Sequence, residues 1–253
     1  MIFYFSATGN SYYAAKAIAS EITDELIDIS KALRDEKFTY SVSPDEKVGF
    51  VIPLYFYGVP TIVADFISKL KLEGNLKSYL YGVITCGGSI EGADRMLASL
   101  LKSQNYTLNS TFELKMTTNY VLMYEIPTLE EQKSDLISAD KKISTIVNAI
   151  KKNKNNDYTS NVRSRLMTKV AYPLYKFGRN TRRFFADEKC NGCGKCARIC
   201  PVNAIEMKNN QPVWTKRQCV HCLGCINRCP RAAIQFGNKT KSRSRFENPT
   251  LKQ

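Results

Sequence analysis

Eight of the nine cysteines fall into two strings of identical spacing. Residues 190–201 read CNGCGKCARICP and residues 219–230 read CVHCLGCINRCP, so C-x-x-C-x-x-C-x-x-x-C-P occurs twice. Each string sets three thiols on one tight loop, Cys190, Cys193 and Cys196 or Cys219, Cys222 and Cys225, with a fourth, Cys200 or Cys229, just beyond. Thiolates at this spacing suit iron–sulfur ligation, and Pro201 and Pro230 turn the chain away after the last of them. Gly192, Gly194 and Gly224 are expected to supply the backbone freedom that wraps each loop around a cluster. Zinc is the competing ligand, but zinc ribbons use two widely separated C-x-x-C pairs and rarely three cysteines so close together.

A second stretch could bind an anion. The apolar run Ile2 to Phe5 ends in Ser6, Ala7, Thr8, Gly9, Asn10 and Ser11, after which Tyr13, Ala14, Ala17, Ile18 and Ile22 recur at helical spacing. A strand, a hydroxyl-rich turn and a helix start can converge hydroxyls and backbone N–H groups on a phosphate, with the helix dipole adding to the field. The turn holds no lysine or arginine, so it is neither a Walker loop nor the glycine-patterned dinucleotide fingerprint. Such a turn is also an ordinary helix cap.

The elements that must position these stretches alternate. Leu26 to Ile29 reads as a second strand and Glu36 to Lys47 as a polar connection. Lys47 to Leu54 is an apolar buried strand, running through Pro53 into Tyr55, Phe56, Tyr57 and Gly58. A helix then starts at Pro60 with Ile62, Val63, Phe66, Ile67 and Leu70 inward. Tyr79 to Thr85 is a strand ending in Cys86, Gly87, Gly88 and Ser89, and the next helix turns Met96, Leu97, Leu100 and Leu101 inward. Tyr106 to Met116 is the fifth strand. The last helix opens on the capping box Thr128-x-x-Glu131 and carries Leu129, Leu136, Ile143, Val147 and Ile150. The pattern predicts an α/β fold, a doubly wound parallel five-stranded sheet of order 2-1-3-4-5. Ligands of such sheets sit at the carboxyl ends of the strands, where the loops after strands one and three meet.

The turn at residues 6–11 resembles the flavodoxin signature Ser/Thr-x-Thr-Gly-x-Ser/Thr, which holds the phosphate of FMN, and residues 187–237 resemble a bacterial two-cluster ferredoxin. The whole chain thus resembles a flavodoxin/ferredoxin fusion of the kind found in anaerobic bacteria and archaea, with a second, smaller α+β domain after the sheet. The resemblance implies FMN and two [4Fe-4S] clusters as cofactors. Cys190, Cys193, Cys196 and Cys229 would hold one cluster and Cys219, Cys222, Cys225 and Cys200 the other, because the fourth cysteine of each string serves the other cluster in that family; spacing alone also permits two self-contained sets. Ile205 and Ile234 stand at matching places after the two strings, so paired half-domains are expected. By the same resemblance Pro53, Tyr55, Phe56, Tyr57 and Gly58 flank one side of the flavin ring and Cys86, Gly87, Gly88 and Ser89 the other. Loop packing is the plainer role for the tyrosines, and a small buried hydrophobe is the plainer role for Cys86. Asn119 and Tyr120 close over the flavin, meet the second domain, or are ordinary loop residues; His221 tunes a cluster from outside its ligand set.

The boundaries expected are 1–152 for the flavin domain, 153–186 for a basic joint, 187–237 for the clusters and 238–253 for a weakly ordered tail. Residues 1–150 carry 14 Lys and Arg against 18 Asp and Glu, and the remainder 23 against 5. Two clusters with their thiolates remove roughly four to six positive charges from that half, which stays basic. Within the joint, Val162 to Phe185 mixes basic and apolar residues, and Pro173 and Gly178 suggest one or two short helices. Such a segment suits an anionic membrane surface, nucleic acid or an acidic redox partner; the preferred reading is that its apolar face packs the domains together. No stretch approaches the roughly eighteen apolar residues of a membrane span. The first residues enter a strand without a leader, and the free thiols suit a reducing compartment, so a cytoplasmic location is expected. The leading function is an electron relay between clusters and FMN serving a partner protein with an acidic docking surface. The alternative is a flavin reductase acting directly on a small-molecule acceptor. A nucleic-acid-gripping redox sensor ranks last, since no DNA-binding motif is present, and no nucleic acid is expected as partner.

Overall fold

The computed structural model describes residues 1–74, 78–158 and 160–252. Its main sheet takes β1 (Ile2–Tyr4), β2 (Leu26–Asp28), β4 (Val48–Pro53), β6 (Leu80–Cys86) and β7 (Ser110–Lys115) in the order β2-β1-β4-β6-β7, every pair parallel. Counting these five alone, this is the expected 2-1-3-4-5 order. All of β6 is buried, and β4 is buried except at Pro53, because helices cover both faces. On one side lie α1 (Asn10–Ile22) and α5 (Leu129–Lys151), packing Ala14, Ala15, Ile18, Ala139, Ile143, Val147 and Ile150 against Ile2, Val51 and Val83. On the other lie α2 (Ile29–Arg34), α3 (Thr61–Ile67) and α4 (Ala93–Lys102), around Phe3, Phe50, Phe66 and Ile84.

The capping box forms, with Thr128 Oγ1 accepting from the Glu131 N–H and Glu131 accepting from the Thr128 N–H. Leu129, in the first turn, is exposed rather than inward, and α1 buries Ala15 and Ala19 besides Ala14 and Ile18, with Tyr13, Ala17 and Ile22 half-buried against the same core. The polar connection after Glu36 contains a strand, β3 (Thr39–Val42), paired in parallel with β5 (Lys71–Gly74). Tyr40 and Val42 alternate inward on β3, too short a pattern to read against its charged flanks.

The joint is one helix, α6 (Val162–Gly178), and it continues through Pro173. The break expected at Gly178 is where the helix ends, but the one expected at Pro173 is absent: the carbonyl that Pro173 leaves without a donor belongs to Lys169, an exposed residue. The expected packing of its apolar face holds for the tyrosines alone. Thr168, Tyr172 and Tyr175 face inward, while Val162, Leu166, Val170, Leu174 and Phe177 are exposed.

The second region pairs β8 (Phe184–Ala186) with β11 (Ile234–Phe236), and β9 (Ile205–Lys208) with β10 (Gln211–Trp214), both antiparallel. Asn209 and Asn210, both at positive φ, make the tight turn of the second pair. Ile205 and Ile234 open β9 and β11 and are both buried, with α7 (Lys195–Arg198) and α8 (Gly224–Asn227) at matching places between.

Tyr81 on β6 lies with its ring over Gly49, where an added Cβ would sit 2.4 Å from the ring, and its buried hydroxyl has no hydrogen-bond partner among the described residues. Tyr81→Phe is therefore expected to leave the free energy of unfolding unchanged or raise it by about 1 kcal/mol, whereas Gly49→Ala lowers it by about 1–3 kcal/mol. Urea denaturation of the two variants checks both.

Candidate redox centres

Gly9 joins β1 to α1 with φ at 103°, a conformation a side chain would resist, and no side chain caps the helix. The N–H groups of Thr8, Asn10, Ser11 and Tyr12 have no hydrogen-bond partner among the described residues, and the first turn of α1 holds no acidic side chain. That sheaf of N–H groups at the positive end of a helix dipole fits a phosphate. The side chains do something else. Thr8 Oγ1 accepts from Asn119 Nδ2 (2.6 Å), Asn10 Nδ2 donates to the Thr117 carbonyl (2.9 Å) and Ser11 Oγ pairs with Thr85 Oγ1 (2.8 Å). They tie the turn to the end of β6 and to the loop after β7 and leave the backbone to present donors. Ser6 Oγ accepts from the Gly9 N–H and keeps its own proton to give; Ala7 faces the second cysteine loop.

After Pro53, Tyr55 and Gly58 exchange backbone hydrogen bonds (2.9 and 3.0 Å), which places Phe56 and Tyr57 at positive φ, 45° and 66°. Helix α6 holds this turn: Thr168 donates to the Tyr57 carbonyl (2.6 Å), and the Tyr172 hydroxyl to the Val59 carbonyl (2.8 Å). Tyr175 stacks on Phe56 at 5.2 Å between ring centroids, and Tyr120 meets Phe56 edge-on. Gly58 is needed where Tyr172 crosses, since a Cβ there would lie 2.4 Å from its ring. Opposite, Cys86 ends β6, and burial, with Glu113 nearby, pushes its thiol up to about 12. A Cβ on Gly87 would come to 3.0 Å from Thr118, Gly88 stands in open space, and Ser89 Oγ donates to Glu91 (2.7 Å).

In the first cysteine loop Gly192 and Gly194 take φ near 72°. The matching residues of the second loop are His221 (51°) and Leu223 (57°), not Gly224. The expected role of Gly224 is thereby corrected: it begins α8 at the place of Lys195, and it is small because the Ala7 carbonyl lies 3.3 Å from where its Cβ would be. The buried Cys196 thiol is pushed up to about 11 by burial, with Cys229 and Cys190 adding to it. Burial raises Cys219 to about 11 and Cys222 to about 12, with Cys200 contributing to each. Cys225 is raised by burial and by Cys222, Cys219 and Cys200, and it also feels Cys196. The thiols that influence one another thus form two adjoining groups, each drawing a member from the other string. Among the described residues no three His, Cys, Asp or Glu side chains close on a single metal ion. Backbone N–H groups of Ala204, His221 and Ala233 point at the sulfurs of Cys200, Cys219 and Cys229 at 3.2–3.4 Å. His221 itself is buried, pairs with the Asn180 carbonyl (2.8 Å), and is held neutral by burial. The donor set, soft thiols ringed by N–H groups, fits iron–sulfur clusters.

The two regions touch where the chemistry is. Tyr55 is half-buried beside Cys222, and burial of its hydroxyl, with Cys222, Tyr175 and Cys219 adding, drives the hydroxyl pKa far upward. The Tyr175 hydroxyl donates to the Val220 carbonyl (2.9 Å), and Asn227 Nδ2 to the Asn119 carbonyl (3.1 Å). The terminal residues, expected to be weakly ordered, are instead built in. Phe246 donates its N–H to Asn227 Oδ1, Glu247 pairs with Arg228 (2.7 Å), and the Asn248 N–H donates to the Thr8 carbonyl (2.8 Å). Thr240, Phe246 and Asn248 are buried, and Asn248 crosses Gly9 so closely that a Cβ there would meet its own at 2.6 Å. Sequence reasoning missed Thr168, Tyr172, Tyr175, Asn227 and Asn248. The first three were legible as one helical face, while no local pattern marks the other two.

A strand–turn–helix phosphate cradle beside two cysteine loops defines a flavin and iron–sulfur redox protein. Residues 1–114 match the flavodoxin domain and residues 183–230 the 4Fe-4S dicluster domain. An uncharacterised ferredoxin of Methanocaldococcus jannaschii is 32% identical over 76 residues, 26% of this chain and 88% of the relative. The chain spans 29% of the length of another ferredoxin of that organism, 41% identical over 44 residues covering 17% of this chain. It spans 34% of a polyferredoxin-like protein there, 37% identical over 57 residues, again 17% of this chain. Among solved structures a flavoprotein from Bacteroides uniformis is 19% identical, aligned over 46% of this chain and 88% of its own, with a TM-score of 0.36. The chain belongs to the flavodoxin/ferredoxin fusions, an N-terminal flavodoxin domain followed by a 4Fe-4S dicluster domain.

With its thiol near 12, Cys86 carries almost no thiolate at neutral pH. Iodoacetamide should leave Cys86 unmodified from pH 7 to 9 in the native protein and alkylate it only after unfolding, which peptide mass spectrometry reads. Asn248→Ala, which removes the side-chain bond to Asn10 Oδ1, should weaken flavin retention by about tenfold with cluster iron unchanged, measured by flavin release on dilution.

Proposed function

We propose that the protein relays electrons between two [4Fe-4S] clusters and an FMN in the cytoplasm, serving a partner redox protein. The clusters exchange single electrons and FMN one or two, which is the chemistry the bound groups supply. The observation that carries the reading is the contact between the two candidate sites. Cys222 packs against Tyr55 of the flavin loop, and Gly224 lies against Ala7 of the phosphate turn. The grouping of the thiols supports crossed ligation, Cys190, Cys193, Cys196 and Cys229 for one cluster and Cys200, Cys219, Cys222 and Cys225 for the other. On this assignment the second group is the one beside the flavin. The N–H sheaf of residues 8–12 would hold the FMN phosphate, with the loops at residues 53–58 and 86–89 about the ring. The chain's own contribution is positioning: α6 and residues 246–248 keep the two sites in register and exclude water between them. Residues 1–152, 153–186 and 187–237 then act as flavin unit, joint and cluster unit.

Gly224→Lys tests the reading, because lysine already stands at the matching place of the first loop, as Lys195, and so leaves cluster ligation intact. Anaerobically purified wild type should carry about eight irons and one FMN per chain. The variant should keep its iron while electron equilibration between clusters and flavin slows about tenfold, read by stopped-flow absorbance after reduction. Unchanged equilibration would overturn the relay, and rapid reoxidation of wild type by small acceptors alone would favour direct substrate reduction.

A further inference from the structure

Helix α6 has three faces, and one of them is exposed. Thr168, Tyr172 and Tyr175 point into the protein. Val162, Leu166, Val170 and Leu174 recur every four residues on the outside, with Phe177 following, and they are 71, 60, 63, 71 and 73% exposed. Beside this stripe, at helical spacing, run Arg165 and Lys169, with Lys176 further on; all three are exposed. Arg163, Arg165, Lys169 and Lys176 form no ion pair among the described residues. From Tyr158 to Ala186 the sequence holds seven basic residues and no acidic one.

Five large apolar side chains, each at least 60% exposed, lie together along one side of a single helix, a contiguous patch rather than single scattered exposures. The row runs about 23 Å along the convex outer surface of the helix at 1.5 Å per residue. An apolar row with cations along one flank matches the boundary between acyl chains and anionic headgroups, where the row enters and the charges stay at the phosphates. We propose that α6 binds the protein peripherally to an anionic lipid bilayer, lying in the plane of the interface. The helix is anchored from within through Thr168, Tyr172 and Tyr175, so membrane contact requires no rearrangement of the turn at Tyr55–Gly58. The inference is independent of the relay and would hold for any redox role.

The test is co-sedimentation of the full-length, anaerobically purified protein with extruded vesicles of phosphatidylcholine alone or mixed with phosphatidylglycerol. Two variants accompany it: Val170→Gln/Leu174→Gln/Phe177→Gln, and Arg165→Gln/Lys169→Gln/Lys176→Gln. All six positions are exposed, so thermal melting and iron content are expected to match wild type and are measured to establish it. Wild type should bind the anionic vesicles, weakening as salt rises, and bind phosphatidylcholine poorly. Each variant should lower binding to anionic vesicles by about tenfold. Wild type left in the supernatant at low salt, or an apolar variant that binds as well as wild type, overturns the proposal. So does a wild-type dimer that the apolar substitutions convert to monomer without any vesicle binding, which would make the stripe a self-association surface.

Discussion

Two consecutive aromatic residues at positive φ are costly to hold, about 1 kcal/mol or more each for side chains with a Cβ, and the Tyr55–Gly58 turn carries such a pair in Phe56 and Tyr57. The carboxyl end of β4 depends on that turn, whose strain its neighbours offset. Support comes from α6, whose Thr168 and Tyr172 bond the carbonyls of Tyr57 and Val59 while Tyr175 stacks on Phe56. The joint is therefore a working part of the flavin unit. Tyr175 also donates to Val220 in the second cysteine loop, so one side chain braces both candidate sites. A displacement of α6 would move them together, which keeps their separation constant.

The terminal segment completes this frame from the opposite side. Asn227 receives the Phe246 N–H and donates to Asn119, which in turn donates to Thr8; Asn248 donates to Thr8 and Asn10. The chain of amides runs from just before Cys229 to the phosphate turn without a charged member. Glu247, beside it, takes the charge of Arg228. Neutral amides suit a frame around a bound phosphate, because they add rigidity without adding a field that competes with the helix dipole.

Much of this architecture could be read from the chain and some could not, for physical reasons. The sheet was legible because a parallel sheet buried on both faces leaves near-continuous apolar runs such as 48–53 and 80–86. The capping box was legible because its chemistry is local. Gly224 was misread because glycine has two uses. In the first loop it supplies positive φ, whereas in the second His221 and Leu223 carry that strain and Gly224 makes room for Ala7. No single-sequence rule separates the two, since the neighbour that demands space lies more than two hundred residues away. The outward stripe of α6 was read inward for a related reason: periodicity shows that a helix has an apolar face and not which way that face points.

The two cysteine loops share a motif and differ in setting. Cys193 is exposed and Cys222 lies against the flavodoxin core, while Cys196 and Cys200 of the first string are buried within the second region. Two clusters of the same composition placed in these settings would differ in potential, because solvent exposure and hydrogen bonds to sulfur are among the levers that set it. On the relay reading the difference gives the path a polarity in space. The first loop presents Cys193 to solvent, and the second meets Tyr55 and the flavodoxin core through Val220 and Cys222. The strain at Leu223 is held in the second loop, where Cys222 packs against the flavodoxin core, because the surrounding structure over-determines the backbone there.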